Sequence, residues 1–127
     1  MTVRKISPVL QVDEIESVLP FWEERLGFER VAEIPHGLGL GFVILVSGGH
    51  EVMLQSTASA AADVVAIARP ASPGSTGLFI EVDDLAPYLA RLLPGDHAAP
   101  VRETFYGMRE AILRDPAGHV VALAQKL

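Results

Sequence analysis

VLQVDEI (Val9–Ile15) and FIEVDDL (Phe79–Leu85) decide how this chain is read. At a constant offset of 70 residues, every position is identical or similar in type. Each segment then passes into apolar residues at helical spacing: Ile15, Val18, Leu19, Trp22 and Leu26 in the first, Leu85, Leu89, Leu92 and Leu93 in the second. Gly27 follows Leu26 where a left-handed C-terminal residue is wanted, and Pro94-Gly95 closes the second helix. Further on, GGHEVMLQ (Gly48–Gln55) aligns with AGHVVALA (Ala117–Ala124) at an offset of 69, the difference of an ordinary one-residue loop deletion. The chain is two copies of one unit.

That unit is a strand, a helix and three further strands. In the first copy the strands after the helix fall near Arg30–Ile34, Leu40–Val46 and His50–Gln55. The second copy has a strand over Gly77–Val82, a helix over Leu85–Leu93, and strands over Val101–Phe105, Met108–Arg114 and His119–Gln125. Thr57 to Ser75 joins them, alanine-rich and helix-compatible at first, then ending in ARPASPGST, a linker composition. The chain is therefore expected to be one domain of 127 residues, with module one at about 1–56, the linker at about 57–75 and module two at about 76–127.

Composition narrows the function classes. Half of the residues are hydrophobic and 20% are charged, which is a globular balance. A formal net charge of −6 argues against a nucleic-acid partner. The absence of cysteine excludes disulfides, thiolate metal sites and cysteine nucleophiles. The apolar run of the N-terminus is interrupted by Ser7, Pro8 and Gln11, so it does not read as a signal peptide, and no window is apolar for long enough to span a bilayer. The expectation is a cytoplasmic protein with no membrane partner. Ser7 and Ser17 have no visible histidine and acid partners for nucleophilic catalysis, and no nucleophile elbow is present.

Paired units with LPFWEERLGFE after the first strand and YGMREAILRDPAGH before the last resemble the vicinal oxygen chelate superfamily of glyoxalases, extradiol dioxygenases and bleomycin-resistance proteins. The resemblance covers nearly the whole chain and includes Phe21-Trp22, the Leu-Gly-Phe ending the helix and the turn Asp115–Gly118. It implies an α+β fold in which two tandem βαβββ modules form a half-open mixed β-sheet barrel with the helices outside. It also implies a homodimer, with the modules paired within one chain or exchanged between chains. Open half-barrels leave sheet edges and a concave face for a partner to cover.

In the metalloenzymes that the chain resembles, the first and last strands of each module supply one metal ligand apiece, normally His, Glu or Gln. Carried onto this sequence, those positions are Ser7 and Met53 in module one and Gly77 and Ala122 in module two. None is a usual ligand for a hard or borderline divalent ion. The expectation is therefore a protein with no metal ion and no cofactor. A two-residue slip in the fourth strand would bring in Glu51 or Gln55 on the same face. Of the four histidines, His50 and His119 follow glycine in equivalent turns, which favours a structural role, and His36 and His97 lie in loop-like sequence.

Strand alternation then lays out the cavity. Ser7, Val9 and Gln11 share one face of the first strand, and Gly77, Phe79 and Glu81 share the equivalent face of its repeat. Glu51, Met53 and Gln55 join them in one closing strand, and Val120, Ala122 and Ala124 in the other. The candidate ligand-binding residues are Ser7, Val9, Gln11, Glu51, Met53, Gln55, Phe79, Glu81, Phe105, Tyr106, Arg109 and Ala122. They describe a pocket apolar in its middle with carboxylates and amides at its edges. Each has a plainer alternative. Phe21 and Trp22 are expected in the core rather than at a ligand. Arg109 either clamps an anion or pairs with Glu103 or Glu110. Tyr106 either contacts a ligand or closes its turn, and Asp115 and Gly118 serve their own turn.

Two functional classes follow. The first is a metal-free small-molecule binding protein that sequesters a drug or metabolite, cationic ligands included. The alternative is a lyase, isomerase or dioxygenase-like enzyme that uses Glu51, Glu81 or Glu103 for proton transfer, or an atypical metal site. No catalytic residue is identified.

Overall fold

The structure, a computed structural model, describes residues 1–63 and 76–127. The latter half of the expected linker, 64–75, lies outside the described residues. The first repeat runs β1 (Val9–Val12), α1 (Ile15–Leu19), β2 (Glu29–His36), β3 (Gly39–Ser47) and β4 (His50–Ser56). A helix α2 (Thr57–Asp63) follows, where the alanine-rich start of the linker allowed one. The second repeat is β5 (Gly77–Val82), α3 (Ala86–Arg91), β6 (Arg102–Glu103), β7 (Met108–Arg114) and β8 (Val120–Lys126). The strands form two four-stranded mixed sheets with orders β1-β4-β3-β2 and β5-β8-β7-β6, so the two repeats have one topology.

Each sheet joins its first and last strand in parallel. Val9 pairs with Met53 in the first sheet, and Phe79 pairs with Ala122 in the second. β4 and β8 therefore carry both the parallel partner and an antiparallel partner, β3 or β7.

The first helix does not stop at Leu19 but widens into a π-helical turn over Pro20–Arg25, in which the Leu26 amide donates to the Phe21 carbonyl at 3.0 Å. That extra residue per turn lets Phe21 and Trp22 both face inward, and both are fully buried. Gly27 ends the turn at φ +75, where a side chain would be strained. α3 is shorter than the expected Leu85–Leu93. Pro94 disfavours helical backbone at Leu93, and both Leu92 and Leu93 are extended. β6 is also shorter than expected, because Thr104 turns the chain back: its amide donates to the Met108 carbonyl and its Oγ1 accepts from the Met108 amide.

One core serves both repeats. Leu10, Val12, Val43, Leu45, Val52 and Leu54 of the first sheet pack with Ala111, Leu113, Val121 and Leu123 of the second, and Phe21 and Trp22 lie among them. Three polar contacts fix this union. The Trp22 indole Nε1 donates to Asp115 Oδ2 at 3.3 Å, and Asp115 Oδ1 accepts from the amides of Ala117 and His119. His119 Nε2 lies 2.9 Å from the Gln11 carbonyl oxygen, and Arg25 Nε lies 3.1 Å from Asp96 Oδ2. Asp115 is thus the turn residue that the sequence indicates, and it also reaches across to the other repeat. Gly118 completes its turn at φ +91.

Removing one partner of a buried, hydrogen-bonded carboxylate strands the others. Asp115→Ala is expected to destabilise the fold by about 3 kcal/mol, read as a lower urea midpoint, whereas Asp13→Ala at the exposed equivalent of Asp83 costs less than about 1 kcal/mol.

Candidate functional site

The face of each sheet turned away from the shared core is open in its middle, although Ala124 and Glu110 of the second sheet are buried, and it carries most of the predicted residues. On the first sheet, Val9 lies beside Met53 and Gln11 beside Gln55. Phe42, Ile44 and Val46 of β3 continue these rows. On the second sheet the rows are Gly77, Val120 and Arg114; Phe79, Ala122 and Ile112; and Glu81, Ala124, Glu110 and Arg102. Val9 is 51% and Phe79 59% exposed, so apolar surface stands in water at the middle of both faces.

Polar groups border this surface. Ser7 Oγ donates to Glu51 Oε2 at 2.5 Å, and Lys5 Nζ lies 2.5 Å from the same oxygen. The Lys5 ammonium first, and then the Ser7 hydroxyl, hold the Glu51 carboxyl below its ordinary range. Gln11 Nε2 donates to Thr57 Oγ1, and Gln55 Nε2 reaches Ser59 Oγ at 3.5 Å, so both amides turn toward the start of α2.

At the far end of the second sheet is a cluster that the sequence reading did not assemble. Glu110 is only 1% exposed. Its Oε1 accepts from Arg102 Nε and Nη2 at 3.2 and 3.0 Å, and its Oε2 accepts from the Tyr106 hydroxyl at 2.5 Å. The hydrogen bond to Glu110 raises the pKa of the Tyr106 phenol, and the carboxylate likewise raises that of Arg102. The Phe105 ring stands edge-on to Tyr106 at 5.1 Å and is fully exposed.

Arg109 is placed differently from this cluster. It is in register with Glu103 and has the strand parity of Ala111 and Leu113, opposite to that of Glu110. Counting alternate residues from Ala124 across β8 and β7 would have found Glu110. Its neighbour Arg109, beside the turn, drew the attention instead.

The metal positions can now be tested by donor chemistry. Ser7 offers one hydroxyl already bonded to Glu51, Met53 a thioether, and Gly77 and Ala122 nothing. The nearest carboxylate, Glu51, already holds the cation of Lys5, which opposes a second cation there. These residues do not fit a divalent ion. Among the described residues no group of three or more His, Asp or Glu side chains converges as a metal site. The histidines are dispersed. His36 ends β2 and His50 starts β4, His97 bridges to Leu113, and His119 is buried with Nδ1 unpartnered.

A half-open cavity of about 850 Å³ lies between the repeats. It takes Phe79 and Glu81 from the predicted residues and none of those predicted in module one, and it is bordered there by Pro8, Ser47 and His50. Among the described residues no helix is long and apolar enough to cross a membrane.

Two mixed βαβββ sheets over one core, with their outer faces open, define a glyoxalase-type fold. The family described as the Glyoxalase/Bleomycin resistance protein/Dioxygenase superfamily matches residues 5–123, and the chain belongs to it. No curated protein matches. Solved structures do. A glyoxalase-related enzyme from Fulvimarina pelagi is 21% identical with a TM-score of 0.78, covering 98% of this chain and 89% of its own. An antibiotic binding protein from Streptomyces sp. CB03234 is 24% identical with a TM-score of 0.73, over 100% of this chain and 99% of its own. The bleomycin-binding protein from Streptomyces verticillus, solved with copper(II)-bleomycin, is 23% identical with a TM-score of 0.67, over 100% and 99%.

The Glu51 cluster has a pH signature. Its folded pKa is depressed, so its contribution to stability is full above the unfolded value of about 4.5 and fades as the pH falls through the lower folded value. The stability difference between wild type and Glu51→Gln is expected to be constant from pH 7 to 5 and to shrink below pH 4.5 in acid titrations of urea unfolding.

Proposed function

We propose that this protein binds a small molecule without a metal ion, sequestering a drug or metabolite against the open sheet faces. One observation carries the reading. The four positions where metalloenzyme relatives are expected to hold their ion are occupied by Ser7, Met53, Gly77 and Ala122, while the surface beside them is apolar and accessible. Phe79 and Met53 supply flat and adaptable apolar contact, and Glu81 and Glu51 stand at the rim. The antibiotic and bleomycin binding proteins of the same fold support a sequestering role.

The oligomer follows from the same surface. Two open faces with exposed Val9, Phe79 and Phe105 are what a second copy would cover, and a homodimer would close each face into a pocket. Light scattering is expected to give twice the mass of 13.6 kDa across the micromolar range.

A second reading rests on Glu110 and Tyr106. A short hydrogen bond between a buried carboxylate and a phenol is an arrangement that can move a proton, and it would suit a metal-free lyase or isomerase.

The test combines metal analysis with ligand screening. Protein dialysed after exposure to zinc, nickel, manganese or iron is expected to retain only substoichiometric metal, and a thermal-shift screen that includes metal-free bleomycin is expected to yield a stabilising ligand. Phe79→Ala should remove at least half of that ligand's shift. Stoichiometric metal that survives dialysis would falsify the reading.

A further inference from the structure

The two repeats are not filled equally. In module one, Leu10 and Val12 of β1 are 2% and 0% exposed beneath α1 and its π-helical turn. Their counterparts in module two, Ile80 and Val82, are only half-buried and line the inter-repeat cavity. The difference lies in the covering helix. At the offset of 70, fully buried Phe21 corresponds to Arg91, and Val18 to Tyr88. Where module one inserts an aromatic ring, module two has an exposed guanidinium, and α3 has no fully buried residue.

The seam between the repeats shows the same asymmetry. His119 closes one side of it on the Gln11 carbonyl. The equivalent pair on the other side is His50 and Glu81; they make no such bond, and both border the cavity. The cavity is therefore the unfilled and unclosed half of a repeated packing arrangement. Its volume is in the range of a small-molecule site.

We infer that this cleft is a second ligand site, which meets the open face of the second sheet only at Phe79 and Glu81, and that it takes an anion with an apolar body, such as an aryl carboxylate. The body would lie over Leu78 and Ile80, in the volume that Phe21 fills in module one. The charge would meet Arg91, whose Nη1 lies against Gly27 at the mouth: a Cβ added there would sit 3.4 Å from it. Arg91 has no ion pair among the described residues, and the Tyr88 hydroxyl has no hydrogen-bond partner among them. Both are donors.

Three acids also line the cleft, Glu81, Asp83 and Asp84, and two of them repeat a feature of module one. Asp83 and Asp84 repeat Asp13 and Glu14 of module one at the same strand-to-helix turn, and Asp84 Oδ1 already accepts from the Ala86 amide at 3.0 Å. Glu81 shares the strand parity of Phe79, and both stand where the open face of the second sheet meets the cleft. Arg91 and Tyr88 are what module two has and module one lacks.

Because Phe79 and Glu81 border both sites, the open-face control is taken on the first sheet, and calorimetry with two probes of matched shape tests the inference. 1-Naphthylacetate is expected to bind the full chain, and 1-naphthylmethylamine to bind at least about tenfold more weakly. Arg91→Phe, which restores the residue of module one, should abolish naphthylacetate binding and raise the melting temperature by filling the cleft. Arg91→Gln should weaken binding about tenfold or more, while Arg4→Gln and the open-face variant Val9→Ser leave it unchanged. No binding by wild type, a preference for the amine, unaltered binding by Arg91→Gln, or loss of binding in Val9→Ser would each overturn the inference.

Discussion

The fold depends on one buried carboxylate. Asp115 sits in the turn before the last strand, and its two oxygens serve that turn and the indole of Trp22 from the other repeat. A buried charge is stable only when fully hydrogen-bonded, so this group demands both the turn and the docked helix at once. Trp22 meets the same demand from its side, since a buried indole needs an acceptor. The contact couples the local geometry of Asp115–Gly118 to the placement of an entire helix 93 residues away in sequence.

Duplication explains the architecture, and departure from duplication explains the chemistry. The parallel pairing of first and last strand repeats nearly residue for residue. What varies is the side chain at a given repeated position: Phe21 against Arg91, Met53 against Ala122, Gln11 against Glu81. Where the backbone repeats, such a difference translates directly into a difference of surface. This kind of chain can change its ligands without changing its fold.

Much of this was legible in the sequence. The bounds of Gly77–Val82 and Met108–Arg114 follow once the repeat is seen, and the burial of Phe21 and Trp22 follows from helical spacing. The open-face rows follow from period two once the repeat is seen. Three features were not legible. The π-helical turn depends on tertiary packing, and nothing in PFWEER announces it. The buried Glu110 has a partner, Arg102, on the strand expected over Val101–Phe105, but residue type alone does not select it over Arg109, which stands next to Glu110 in the chain. The cleft appears only when repeated positions are compared by burial as well as by type. Ile80 and Val82 look like core in the sequence, and they would be if α3 carried the aromatic pair of its counterpart.

The outer strands of the first sheet have a further effect. β2 is a long edge strand with exposed Val31 and Ile34, the composition that invites another chain to pair along it. It is interrupted by register irregularities between Arg30 and Ala32 and between Ile34 and Pro35, and Glu29, Arg30 and Glu33 place charge along it. Arg30 is held there by ion pairs with Glu23 and Glu33 at 2.8 Å. A bent, charged border containing proline is a poor template for a growing ladder, so this edge resists fibrillar aggregation even though it is left uncovered.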